Sequence, residues 1–231
     1  MNFVFVLFQL FSWQERVVLD LAVFAGGWTL IVTADRSDLK SSVVSIYHAR
    51  SGRSLSVSAV AACFIDADKE KETISALLLV RAEESKEAES MKCKFILLHV
   101  QLELNSPELF SATTAGSGSS LPYQAPFPAK QFIQYSQIVS SVELEIFRDN
   151  PNSHYFLLFV PKSVGVGAAI LVTGRGGVIL INLAHSDEKV SHKEDPEGDR
   201  DIQAVRLASD GRVLFLLTRK GEMFQIKLTD S

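Results

Sequence analysis

Asp201–Leu228, DIQAVRLASDGRVLFLLTRKGEMFQIKL, is the stretch that decides the fold. It reads as three short strands, Gln203–Leu207, Val213–Thr218 and Met223–Leu228. Asp210-Gly211 and Lys220-Gly221 separate them. A tight hairpin turn needs positive φ, which glycine supplies at little steric cost, so Asp-Gly between apolar runs is a strong hairpin signal. Worn copies of this unit fill the rest of the chain.

Working outward, ILVTGRGGVILINL (170–183) aligns with VLFLLTRKGEMFQIKL (213–228) as strand, Thr, basic residue, Gly turn, strand. The charged connector HSDEKVSHKEDPEGDRD joins the two, and Ser186–Arg200 within it is expected to be exposed. Upstream, SSVELEIFR (140–148) and HYFLLFVPK (154–162) complete a third unit over Phe132–Leu183. A second unit covers Val60–Leu104. There ISALLLVRA bunches its apolar residues at Ile74–Val80 instead of returning them every three to four residues, which favours a doubly buried strand over a helix across Lys69–Lys92. EESKEAES then becomes a charged hairpin loop. The first unit holds VVLDLAVFAGGWTLIV (17–32), a strand at Val43–Tyr47 and another from Leu55.

The segment IYHARSGRSL (46–55) resembles the third strand and exit turn of a WD-repeat blade, with Tyr47 in the usual Trp position, His48 in the Asp position, and Gly52 and Leu55 matching. ILVTGRGGVILINL is similar to the second and third strands of such a blade, with Asn182 in the acidic position. The chain has no G-H dipeptide and no W-D, so the resemblance is one of pattern. Four units at the spacing of propeller blades imply an all-β chain of antiparallel strands. It would be a β-propeller or partial propeller of about four blades, with residues 1–231 forming one domain or a fragment of one. The resemblance implies other proteins as partners, as subunits of a multiprotein complex in the cytoplasm or nucleus; with no nucleotide or metal motif, no cofactor is expected.

Composition narrows the function classes. The 231 residues are 47% hydrophobic, enough for a sizeable core, and carry a formal net charge of -4. Proteins that track phosphates are normally strongly basic, so direct nucleic-acid binding is not expected. Cys63 and Cys93 are too few for a disulfide framework and read as buried thiols in a reducing compartment. MNFVFVLFQLFSW (1–13) falls short of the ~20 apolar residues of a membrane helix. Phe and Val favour a buried strand there; a cleaved signal, and with it a secreted or surface module, is the alternative.

The segment Asn105–Lys130, NSPELFSATTAGSGSSLPYQAPFPAK, is rich in Ser, Thr, Gly and Pro and is expected to be a long flexible loop. Its proline portion has the form of a short docking peptide, although most such segments are linkers.

No catalytic, metal or cofactor residue is assigned. Gly165-Val166-Gly167 and Gly174-Arg175-Gly176-Gly177 suggest a nucleotide loop, but Ile170 and Ile179 stand where a third glycine is needed, and VILINL follows in place of a helix. His185 and His192, with Asp187, Glu188, Glu194 and Asp195, have no compact ligand spacing. Cys63 or Cys93 with His99 lacks a supporting local pattern for a nucleophile pair, and GSGSS at Gly116–Ser120 is no nucleophile elbow. A non-catalytic protein-interaction scaffold is therefore expected, with a propeller-fold hydrolase as the alternative class.

Overall fold

The structure, a computed structural model, describes residues 16–35, 41–68, 70–82, 92–112, 126–147, 154–163, 167–183, 192–193 and 201–228. Among these, sixteen strands form four antiparallel sheets. The first sheet contains β1 (Arg16–Phe24), β2 (Trp28–Asp35), β3 (Val43–His48) and β4 (Arg53–Val57). The second contains β5 (Ala61–Asp68), β6 (Thr73–Arg81) and β7 (Lys92–Glu103). A short strand, β8 (Ser111–Ala112), leaves the second sheet and pairs with β4. The helix α1 (Ala129–Tyr135) then leads into β9 (Gln137–Phe147), the fourth strand of the second sheet. The third sheet is β10 (Phe156–Val160), β11 (Ala168–Val172), β12 (Val178–Ile181) and β13 (His192–Lys193). The last is β14 (Ile202–Leu207), β15 (Val213–Thr218) and β16 (Met223–Lys227).

Each sheet is an up-and-down meander in chain order, and successive sheets stack face to face. Leu30, Val32 and Ile46 of the first sheet share a core with Ile74, Leu78 and Val100 of the second. Leu77, Leu79 and Leu97 of the second meet Leu157, Leu171 and Ile179 of the third. Ile170 and Val172 of the third meet Val205, Leu214 and Leu216 of the fourth. This is a propeller-like arrangement of antiparallel blades, as the hairpin spacing implies. The alternation of β6 shows why its apolar run is a strand: Ile74, Ala76, Leu78 and Val80 enter one core while Leu77 and Leu79 enter the next. A pleat sends successive side chains to opposite faces, so a sheet covered on both needs apolar residues at every position.

The hairpins form where glycine places them. Gly176, Gly211 and Gly221 all have positive φ, and β15 pairs with both β14 and β16. Ile170–Val172 pair with Val178–Leu180 through the same kind of turn.

Three expectations need correction. SSVELEIFR does not open the third unit; its residues 140–147 lie in β9 and close the second sheet against β7. The Pro-rich segment is thus an insertion within a blade, which shifts the boundary. Asn105–Lys130 is not exposed throughout: Leu109 and Phe110 are buried, and Phe127 packs against the first core. Its composition hid three apolar anchors among polar residues, and 113–125 lie outside the described residues. The helix α1 was not expected after PFP. Pro128 sits at its N-cap, where a missing N–H costs nothing, and Phe132 fixes it to the core. Of the connector 186–200, only His192–Lys193 lie among the described residues, where they pair with β12.

Leu78 is fully buried where the first two sheets meet. Leu78→Ala is expected to lower unfolding free energy by about 2–5 kcal/mol, measured by urea denaturation. A loss below about 1 kcal/mol would show that this interface is not packed as described.

Candidate functional site

The most regular surface feature is a pair of turns that leave the third and fourth sheets at equivalent positions. In the third, Thr173 N donates to Gly177 O (2.9 Å), Gly176 N to Thr173 O (2.9 Å) and Gly177 N to Thr173 Oγ1 (3.1 Å). In the fourth, Thr218 N donates to Glu222 O (2.9 Å), Gly221 N to Thr218 O (3.0 Å) and Glu222 N to Thr218 Oγ1 (3.1 Å). A buried threonine hydroxyl thus caps each turn, and a glycine at positive φ closes it. Arg175 and Lys220 occupy the same place at the two exposed tips.

Backbone bonds tie the two turns into one ridge. Ile202 N, at the start of β14, donates to Gly174 O (2.8 Å), and Arg219 N donates to Asp201 O (2.9 Å). Asp201 takes φ 45, a left-handed conformation that Asp tolerates better than most residues. Its carboxylate meets Arg219 Nε at 3.1 Å. Both groups are substantially exposed, so this pair orients the turn more than it stabilises it.

His154 lies just before β10, near Asp201 and Arg219 of the ridge, with its ring 4.7 Å from that of Phe156. Burial holds its imidazole below the usual histidine range; the carboxylates of Asp201 and Asp20 oppose that, as does a hydrogen bond to the Gln203 backbone, while Arg219 adds to it. Asp20 belongs to β1 and also bears on Cys63 of β5. β5 packs against β1 and β10, and β10 shares a core with β14, so the first strands of the four sheets lie on one side of the stack. Three of them share a device that sequence reading missed. Register shifts at Val18/Asp20 in β1, Phe64/Asp66 in β5 and Ile202/Ala204 in β14 mark a bulge in each. The Asp20 and Asp66 carboxylates each accept the N–H of the following residue at 2.8 Å. A bulge increases local twist and breaks the two-residue period. An Asp interrupting an apolar strand was the available signal.

At the other end of the first sheet, His48 is buried, packs 4.7 Å from the Trp28 ring and bonds Ser51 Oγ through Nδ1 at 2.9 Å. Burial again lowers its pKa, against a hydrogen bond to the Gly26 backbone that raises it. Tyr47-His48 ends the third strand of its sheet. ILVTGRGGVILI supplies the second and third strands of another.

The candidate chemistry is dispersed. Cys63, Leu77 and His99 lie in one row across three strands. Leu77 separates the thiol from the imidazole by two strand spacings, about 10 Å. Burial pushes the Cys63 thiol above its ordinary value, which disfavours the thiolate. Cys93 pairs with Ile146 in the ladder, and neither cysteine forms a disulfide. Gly174, Gly176 and Gly177 form the β11–β12 turn, and Gly167 (φ 67) precedes β11. His192 pairs with Ile179, whereas His185, Asp187, Glu188, Glu194, Asp195, Gly165 and Gly116–Ser120 lie outside the described residues. Among the described residues no group of three or more His, Cys, Asp or Glu side chains is placed to hold a metal ion, and no helix is long and apolar enough to cross a membrane.

No family model matches the chain, and no curated protein matches it. Among solved structures it is similar to Drosophila Semaphorin 2a, at 8% identity and a TM-score of 0.36, over 94% of this chain and 44% of that one. The chain thus spans less than half the length of that structure.

The histidines make a pH dependence. Burial disfavours the imidazolium of His99 and His154 in the folded state. The unfolded chain binds protons below its ordinary histidine value, about 6.5, more readily than the folded chain does. Stability is therefore complete above that value and is lost as pH falls through the lowered folded-state values. The urea midpoint is expected to be lower at pH 5.5 than at pH 7.5, and a His99→Gln/His154→Gln double variant should show a smaller difference. An unchanged difference in the variant would contradict this assignment.

Proposed function

We propose that this chain is a non-catalytic docking platform for other proteins, acting within a larger intracellular assembly of the coat, nuclear-pore, kinetochore or trafficking type. The observation that carries this reading is the hydrogen-bonded ridge of Thr173–Gly177, Asp201 and Thr218–Glu222, which holds Arg175 and Lys220 outward at equivalent positions. Loops fixed on a rigid sheet scaffold lose little conformational freedom on binding, so a partner meets a preorganised surface. Two basic tips on a chain of net charge -4 select an acidic segment of a partner and steer its approach. Two unpaired cysteines fit a reducing compartment, and the pattern-level resemblance to WD-repeat blades supports the same class.

The test is affinity capture with the full chain beside an Arg175→Glu/Lys220→Glu variant, with captured proteins identified and their binding measured after purification. The variant is expected to bind a direct partner at least about ten-fold more weakly and more so at low salt. Its urea midpoint should stay within the range of about 0.5 kcal/mol typical of surface changes. Equal binding by a folded variant would remove the ridge from any docking role.

A further inference from the structure

The outer edge of β4, beyond its pairing with β8, carries a contact that the ridge does not explain. After Val57 the chain leaves the sheet, and its last edge groups are taken by a residue from far along the sequence. Phe127 N donates to Ser56 O at 2.8 Å and Ser58 N donates to Phe127 O at 2.9 Å, placing Phe127 parallel to Val57. Its ring, half-buried, packs against the core that contains Val57. Pro126 and Pro128 flank it, and neither has an N–H with which to extend the ladder. One residue therefore makes the whole contact, through one donor, one acceptor and one aromatic side chain.

We infer that the β4 edge at Ser56–Ser58 is a docking groove for an extended, proline-flanked aromatic peptide, kept closed by the chain's own Pro126-Phe127-Pro128. Strand addition to a sheet edge takes affinity from main-chain bonds and selectivity from the side-chain position that enters the sheet. Here the internal occupant defines the chemistry. The aromatic residue must be extended and able to both donate and accept, and its neighbours need donate nothing. The groove is exchangeable because the internal contact among the described residues is small: two ladder bonds and a ring that stays partly exposed. The segments on either side are anchored independently. Phe132 is fully buried and holds α1. Upstream, Leu109 and Phe110 are buried, the Phe110 ring lies 5.9 Å from that of Trp28, and Arg53 Nη1 donates to Leu104 O at 2.6 Å. Release of Pro126 and Phe127 would thus leave the sheets in place, and α1 keeps the bond from Phe132 N to Pro128 O (3.0 Å) so long as Pro128 stays at its N-cap. This site lies apart from the ridge of the third and fourth sheets and goes beyond the reading built on it.

The experiment measures fluorescence anisotropy of a labelled APFPAKQ peptide (Ala125–Gln131) with the full chain. In the wild type the internal segment competes at an effective concentration of the order of millimolar. Phe127→Ala removes the ring and leaves the internal segment only its two main-chain bonds, so it is expected to raise peptide affinity at least about ten-fold by lowering the occupancy that masks the edge. A peptide with Ala in place of Phe should not bind, and Ser58→Pro added to Phe127→Ala should abolish binding by removing the Ser58 donor. Should Phe127→Ala fail to fold by circular dichroism, Phe127→Leu replaces it, with a gain of at least about three-fold expected by the same masking. A folded Phe127 variant that binds no more tightly than the wild type overturns the inference, as does equal binding of the Ala peptide.

Discussion

Face-to-face burial of sheets is the constraint on which the rest depends. The second and third sheets are covered on both sides, so β6 and β11 carry apolar residues on both faces of the pleat. At about 25 cal/mol per Å² of apolar surface removed from water, such strands supply most of what opposes conformational entropy. The turns and connectors are then selected for what each end of the stack must do. Thr173 and Thr218, capping equivalent turns on adjacent sheets, show how little sequence is needed to repeat a rigid loop: a hydroxyl, a glycine and the strands that position them.

Of the four register shifts among the described strands, three fall in one place, and the fourth, at Val139 of β9 opposite His99 and Val100, lies elsewhere. Bulges recur in β1, β5 and β14, the first strands of three sheets, where Asp20 and Asp66 satisfy the local N–H. First strands lie where the sheets converge, and extra twist there lets neighbouring sheets fan apart while keeping their faces in contact. At the opposite edge, β8 and Phe127 add to β4 and cover backbone groups that would otherwise be unpaired.

Much of this was legible in the residues. Asp210-Gly211 and Lys220-Gly221 locate both hairpins of the last sheet, and the bunching of Ile74–Val80 gives a strand buried on two faces. The alignment of ILVTGRGGVILINL with VLFLLTRKGEMFQIKL finds the two equivalent turns. Sequence reading failed where long-range contacts override composition. Leu109, Phe110 and Phe127 are isolated among Ser, Thr, Gly and Pro, and only tertiary placement gives them a core to join. The ridge was legible as turns and not as a site, because only the fold brings Asp201 beside Arg219 and His154 near both. A bulge also defeats a two-residue period by construction, which left Asp20 and Asp66 unremarked.

Native-state hydrogen exchange tests the central claim most directly, since four stacked sheets must protect their interior strands last. Amide exchange of the full chain, followed residue by residue, is predicted to show β6 and β11 opening only with global unfolding, while β1 and β16 open at lower free energy. Exchange in β6 and β11 as fast as in β1 and β16 would contradict the stacked arrangement.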